Sequence, residues 1–369
     1  MRVLQQLFIC AFVMAHLLSI PQAVYCGIIY VSLNASGNGS GTSWENACTS
    51  ISKALISSVT NDEIWVAVGR YMEGVEMKAG VSIYGGFAGI EERRQARDWE
   101  ANETIIDATG SSEVGVTGAD DGILDGFTVT GAYGGIYCDG SSPTINNCRI
   151  AGNTTPASVG GGGGVGCERG SPILSNCTIT GNGGARFSFG CGVFCGRESS
   201  PTLIDCTISK NAGGEDSTGG GVYCWMESSP TFINCAITDN VAERYGGVFC
   251  LVSSPVFIDC TIQRNSGEGI SSRYSSVSIL DCTISENHGT GVACTGDPAP
   301  VLIGCTIAGN SAVVDPTTGR AADGGGISSQ QCSPSLIRCV IEGNSASSGG
   351  GIYCNQSSLN LADCTIRGN

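Results

Sequence analysis

Nine copies of Cys-x-Ile-x-x-Asn occupy the C-terminal part of the chain, beginning at Cys148, Cys177, Cys206, Cys235, Cys260, Cys282, Cys305, Cys339 and Cys364. The gaps between them are 29, 29, 29, 25, 22, 23, 34 and 25 residues. A second element, Gly-[Val/Ile]-x-Cys, precedes each copy by 10 or 11 residues and ends at Cys138, Cys167, Cys195, Cys224, Cys250, Cys294 and Cys354, with Ser272 and Ser329 replacing the cysteine in two copies. The block from first to second cysteine is nearly rigid, and the large length variation falls after the Asn. Repetition of this kind means a stack of like units, none of which buries its apolar face alone.

One unit, Gly221 to Asn240, shows how each is built. Val222 and Cys224 point inward on a first short strand and Tyr223 points outward. Ser228-Ser229-Pro230 turns the chain into a second strand, Thr231 to Ile233. Cys235 and Ile237 point inward on a third strand, and Asp239-Asn240 opens the variable loop. The residue three before each repeat cysteine is apolar, so inward positions at −3 and 0 break strict alternation and require a bend between them. At −1 stand Asn147, Asn176, Asp205, Asn234, Asp259, Asp281, Gly304, Arg338 and Asp363; all but Arg338 tolerate a left-handed backbone. Three strands per coil with a shortest period of 22 residues describe an all-β, right-handed parallel β-helix of about nine to ten coils, stacked at about 4.8 Å per step.

The repeats from Ile123 to Asn369 resemble the pectate-lyase-like superfamily of right-handed β-helix proteins. Ahead of them, Ile29-Tyr30-Val31, Gly41-Thr42-Ser43-Trp44, Asp62 to Ala67, Tyr84 to Gly89, Arg97-Asp98-Trp99 and Leu124 to Phe127 look like the lead-in region of secreted bacterial β-helix repeat proteins. The alternation of x-x-Asn with Gly-Gly-[Val/Ile] is also similar to chlamydial polymorphic outer-membrane adhesins. The resemblance implies a lead-in segment that caps the stack and a surface or exported protein.

Residues 1–23 carry Arg2, an apolar run from Leu7 to Ile20, and Ala23, the pattern of a secretory signal peptide. Residues 24–122 then form the cap and lead-in coils, and 123–369 the repeats, with the last repeat closing on Asn369 as in a chain truncated at its C-terminus. Ser43 is expected to N-cap a helix from Trp44 to about Leu55, with Ala47, Ile51, Ala54 and Leu55 on its apolar face. The localisation expected is secreted, extracellular or on the outer cell surface, with no integral membrane segment in the mature chain.

Eighteen Lys and Arg stand against 33 Asp and Glu, a net charge of −15, so nucleic acid is excluded as a partner. A polyanionic substrate needs a basic patch, and no basic run exists in the sequence. With the leader removed His288 is the one histidine, which rules out multi-His zinc sites; no metal site is expected.

Most of the 21 cysteines fall in two inward columns. As buried small hydrophobes they stack unpaired, or several form bridges in an oxidising compartment; in-register parallel geometry suits a bridge poorly. Asp259 and Asp281 in adjacent coils would stack two carboxylates, a spacing suited to glycoside hydrolysis or calcium, but the bend accounts for them. Asp120-Asp121-Gly122 reads as a solvated turn, and His288 as a loop residue. The outward Thr column of the third strand is ordinary β propensity.

The outward column of the first strand contains Tyr137, Phe194, Tyr223, Phe249 and Tyr353. Phe194, Tyr223 and Phe249 fall in consecutive coils, giving an aromatic ladder that stacks on sugar rings if exposed, or packs under the loops if covered. These five are the candidate ligand-binding residues. The expected function is an adhesin, structural scaffold or glycan-binding rod without catalysis, whose partner is a polysaccharide or cell-surface glycan. The alternative is a polysaccharide lyase or glycoside hydrolase, for which the catalytic residues are unassigned. Arg244, Arg264 and Arg273 are available as bases, and calcium would serve as cofactor only in a lyase.

Overall fold

The computed structural model describes residues 27–110, 114–155, 161–184, 186, 188–312 and 323–369. The expected leader, residues 1–23, lies outside them, as does most of the loop after Ala312.

Three parallel sheets run the length of the molecule, and each repeat coil contributes one strand to each. In the coil parsed above the strands are Val222–Trp225, Thr231–Ile233 and Ala236–Thr238. Among the described residues the sheets hold 11, 13 and 12 strands for the first, second and third positions of the coil. Every pairing is parallel, with equivalent residues in register, as in Val222↔Val248 and Phe232↔Phe257. The stack begins before the repeats: Ile28–Val31 pairs with Glu63–Ala67, which pairs with Ser82–Phe87.

The inward positions are those the spacing assigns. Val222, Cys224, Phe232 and Ile237 have no exposed surface, and Phe232 stacks on Phe257 at 4.8 Å and 8°. All nine residues at the −1 bend are left-handed, with φ between 50° and 69°. Arg338, at φ 54°, tolerates this least, and the neighbouring coils hold it there.

Asn240 opens its loop as expected, yet it is buried rather than solvated. Asn153, Asn182, Asn211, Asn240, Asn265, Asn287, Asn310 and Asn344 are at most 2% exposed and form a continuous ladder through the core, closed by Asn369. The Asn240 amide nitrogen donates to Ile208 O of the preceding coil at 2.9 Å and to Asn265 Oδ1 of the next at 3.1 Å. Its own Oδ1 accepts from the backbone and side-chain nitrogens of Asn211, both at 3.0 Å. All four hydrogen-bonding positions of the side chain are filled, and one residue ties three coils together. The ladder also requires the glycine that opens each coil: a Cβ on Gly221 would lie 2.8 Å from Gly247 O and 2.9 Å from Asn240 Nδ2.

All 19 described cysteines are unpaired, and 17 of them are buried. In the third-strand column Cys235 Sγ lies 3.4 Å from Leu203 O and 3.3 Å from Ile233 O, so the thiol meets carbonyls at the bend. In the first-strand column Cys138, Cys167, Cys195, Cys224 and Cys250 are in register, and burial pushes the Cys138 thiol up to about 12.

The cap helix differs from expectation. It runs Ile51–Ser57, and its N-cap is Ser50, whose hydroxyl accepts from Lys53 N at 3.2 Å. Residues after Ser43 cannot coil because Cys48 is tied to the first strand by Cys48 N to Tyr30 O at 2.8 Å and Ser32 N to Cys48 O at 2.9 Å. Glu73 adds a second cap, its carboxylate accepting from Ile51 N at 2.8 Å and Ser52 N at 3.0 Å. Ile51, Ala54 and Leu55 form the buried face of the helix as expected, whereas Ala47, expected on that face, is buried in the segment ahead of it. Among the described residues no helix is long and apolar enough to cross a membrane.

Asn240→Ala strands the two Asn211 donors and the Ile208 carbonyl in the core, and is expected to cost about 3 kcal/mol or more in denaturant unfolding. A loss below about 1 kcal/mol contradicts the ladder. Thiol labelling of native protein is expected to reach the exposed Cys354 first, with the buried columns reacting only after unfolding without reductant.

Candidate functional site

Phe194, Tyr223 and Phe249 are paired in register on the outer face of the first sheet, as their spacing requires. They do not form an exposed ladder. Each is only 5–6% exposed, because rings from the preceding loops lie over them. Phe189 stacks on Tyr223 at 5.3 Å, Tyr245 on Phe249 at 4.4 Å and 7°, and Tyr223 on Phe249 at 5.2 Å and 6°. Those loops are themselves in register, bridging at Gly161, Phe189, Thr218 and Arg244. The variable segments thus act as a second layer over the sheet. Burial pushes the Tyr223 phenol up to about 12.

Tyr137 and Tyr353 stand apart from this cluster. Tyr137 is half-buried beside Gly166, where a Cβ would lie 2.9 Å from its Cδ2. Tyr353 is half-buried in the last described coil, opposite Ser328. Stacking therefore brings together three of the five aromatic candidates and leaves two separate.

One end of the stack is closed by Arg273, whose guanidinium lies 5.3 Å from the Tyr245 ring centre and 5.8 Å from that of Phe249 and donates to the Tyr245 hydroxyl. Burial raises the Glu268 carboxyl, against the pull of Arg273. The other candidate bases are elsewhere: Arg264 is held by Asp239 at 2.8 and 3.0 Å, and Arg244 lies in the loop layer.

Beside the covered cluster a cleft of about 620 Å³ runs along the turn that follows the first strand. Trp225 and Leu251, paired in register, form its floor, and Trp225 lies 6.5 Å from Phe194. Met226 and Val252 are 45% and 46% exposed at its edge, and Arg169, Arg197, Glu198 and Glu227 complete the lining. The turn is left-handed at successive coils, including Arg169 at φ 53°, Glu198 at 58°, Met226 at 47° and Val252 at 51°. A β-branched residue in that region is strained, so Val252 is held by its neighbours. Arg169 pairs with Asp139, whereas Arg197 has no ion pair among the described residues. The cleft thus offers an aromatic and aliphatic floor with both charge signs at the rim. Sequence reasoning missed it because the residues come from the turns of four coils; Trp225 next to Cys224 was the available signal.

The remaining candidates are structural. Asp120 Oδ1 accepts from Ser142 N at 2.8 Å and Asp121 is left-handed, a turn as expected. His288 is exposed, with its backbone N on Asn265 O. Asp281 leans over Gly304, where a Cβ would lie 2.0 Å from its Oδ1. Among the described residues no three His, Cys, Asp or Glu side chains converge on a metal-sized site.

The family described as right handed beta helix region matches residues 37–208, 186–297 and 220–369. Among solved structures, a pectate lyase superposes with a TM-score of 0.52 at 15% identity, covering 94% of this chain and 80% of its own. An alginate lyase from Paenibacillus sp. superposes with a TM-score of 0.52 at 13% identity, covering 76% of this chain and 94% of its own. These likenesses are of fold. A comparison with curated proteins found no match.

Burial of Tyr223 has a pH signature. Its phenol stays protonated in the folded chain above pH 10, where an exposed tyrosine ionises, so the contribution to stability is intact below about pH 10 and is lost as pH rises toward about 12. Tyr223→Phe is expected to flatten the alkaline fall in denaturant stability; an unchanged fall means that the ring is exposed.

Proposed function

The chain belongs to the right-handed β-helix family, and on that premise we propose that it is an exported, non-catalytic rod that holds a polysaccharide segment in the Trp225 cleft. The observation that carries this reading is the cleft itself. A pyranose ring has an apolar face and a rim of hydroxyls. Trp225 and Leu251 match the face, while Arg197, Glu198 and Glu227 supply donors and acceptors for the rim. The rigid interior supports the reading: a floor built on register-locked strands is already in place before a ligand arrives, so little ordering cost remains. The pectate lyase and alginate lyase named above share the architecture, and the polysaccharide class they act on agrees with this reading without establishing it. Cell-surface adhesion is the role that such a rod would serve.

A second reading, a lyase or glycosidase, is favoured by the grouping of Arg273, Tyr245 and Glu268, which places a cation, a phenol and a raised carboxyl at one end of the aromatic stack. Arg273 is already engaged by Tyr245, which makes it a poor free base.

Affinity electrophoresis through gels carrying plant, algal and bacterial polysaccharides tests both readings. Retention on at least one polymer is expected, and Trp225→Ala should weaken it roughly tenfold, about 1.4 kcal/mol, with an unchanged circular dichroism spectrum. Retention on none, or retention indifferent to Trp225→Ala, overturns the binding reading. Release of new reducing or unsaturated ends, abolished by Arg273→Ala, replaces it with the enzyme.

A further inference from the structure

A second groove, of about 430 Å³, lies on the outer face of the third sheet, remote in the coil from the Trp225 turn. Its residues are brought together only by stacking. Arg70, Ile105, Thr128 and Arg149 occupy one row of register-paired positions on successive strands. Beside it run Thr130, Ala151, Thr180 and Ser209, with Lys210 following Ser209. From Arg70 to the strand that carries Lys210 is five strand steps, about 24 Å along the axis.

Glycines make the trough. At the position that Lys210 takes in its own coil, the two preceding coils have Gly152 and Gly181, both with positive φ; a Cβ on Gly181 would meet nothing within 4 Å. The missing side chains open a channel with threonine hydroxyls on its floor. Its cations are not used up internally. Arg70 is held by Asp107, but Arg149 and Lys210 are exposed and have no ion pair among the described residues; Lys210 feels the charge of Asp239, whose carboxylate is already held by Arg264. By contrast, Arg264 and Arg367, which lie further along the same sheet, are paired with Asp239 and Glu342. Glu103 is the acidic residue in the lining, and it accepts from Thr128 Oγ1 at 3.0 Å.

We propose that this groove binds a strand of anionic polysaccharide, with Arg149 and Lys210 pairing its acidic groups and the threonines meeting its hydroxyls. In a chain of net charge −15, two unpaired cations over a hydroxyl-lined trough are a local exception, and charge complementarity selects an acidic ligand. The trough runs along the stacking axis over several coils, which suits a single extended polymer; a wide polyanion such as duplex nucleic acid would also meet the acidic surroundings. The absence of a basic run in the sequence is therefore no guide here, because coil stacking assembles the patch from residues 70, 149 and 210. This site is independent of the Trp225 cleft, and either can fail without the other.

The test is retention of the full chain on immobilised dextran sulfate, carboxymethyl dextran and uncharged dextran, three probes with one backbone. Binding to at least one acidic dextran at low salt, weakened by added salt, is expected, with none to dextran through this groove. If only one acidic form is retained, that form identifies the acidic group. Arg149→Ala combined with Lys210→Asn, an asparagine being suited to the left-handed backbone at 210, should reduce acidic binding at least tenfold. Arg149→Ala alone should give a smaller loss. Arg367→Ala and Trp225→Ala should leave acidic binding unchanged, which separates this site from general charge attraction and from the cleft. Retention on neither acidic dextran, full binding by the double variant, or an equal loss on Arg367→Ala overturns the proposal.

Discussion

The asparagine ladder is the interaction on which the rest of the molecule depends. A β-helix coil must carry its chain through corners while burying the corners' polar groups, and each unpaired group in the core costs about 1–3 kcal/mol. One carboxamide per coil meets that demand. It takes two donors from the coil before, gives one hydrogen to that coil's neighbouring carbonyl, and passes the other onward. Because the side chain spans three coils, no coil can shift register without breaking bonds in two others. The Gly-Gly that opens a coil, the Ile at the centre of the motif and the fixed cysteine spacing are all fitted around it: the Gly221 position touches both Asn240 and Ile237.

A rigid interior has a consequence for the exterior. Once the inward positions are committed to Val, Ile, Leu, Phe, Cys and Asn, any function is carried by outward side chains and by the segments after the Asn. Those segments vary in length, and around Phe189, Thr218 and Arg244 they build a second layer that covers Phe194, Tyr223 and Phe249. Burial of that aromatic column moves the exposed apolar surface to the adjacent turn, where Trp225, Met226, Leu251 and Val252 meet solvent. The thiol columns belong to the interior: in the third-strand column the sulfurs sit against bend carbonyls, and in the first-strand column burial raises the Cys138 thiol, making it a poor nucleophile.

What could be read from the sequence divides along the range of the interactions. Strand positions and the left-handed bends were legible because each depends on residue type at fixed spacing within one coil; Asn234 before Cys235 announces its own backbone. The ladder was not legible in the same way. Asn240 follows Asp239 at the start of a polar segment and looks like a loop residue, since its bonding partners lie 25 and 29 residues away. The helix start shifted from Ser43 to Ser50 because Cys48 bridges to Val31, a tertiary contact that outweighs a local cap. The five aromatic candidates were correctly aligned by period, but which of them is covered depends on loops with no common length. The basic groove was invisible for the plainest reason: its cations are scattered along the chain and meet only when coils stack.

The central claim is that the buried carboxamides are fully bonded and couple the coils, and the exchange of their side-chain protons tests it most directly. In protein labelled with nitrogen-15 at asparagine and transferred to deuterated water, the carboxamide signals of Asn182 to Asn310 are expected to persist long after those of surface residues such as Asn38 have vanished. Loss of the ladder signals at the rate of Asn38, with the fold intact, would contradict the account: the asparagines would then lie open to solvent, and some other interaction would hold the coils in register.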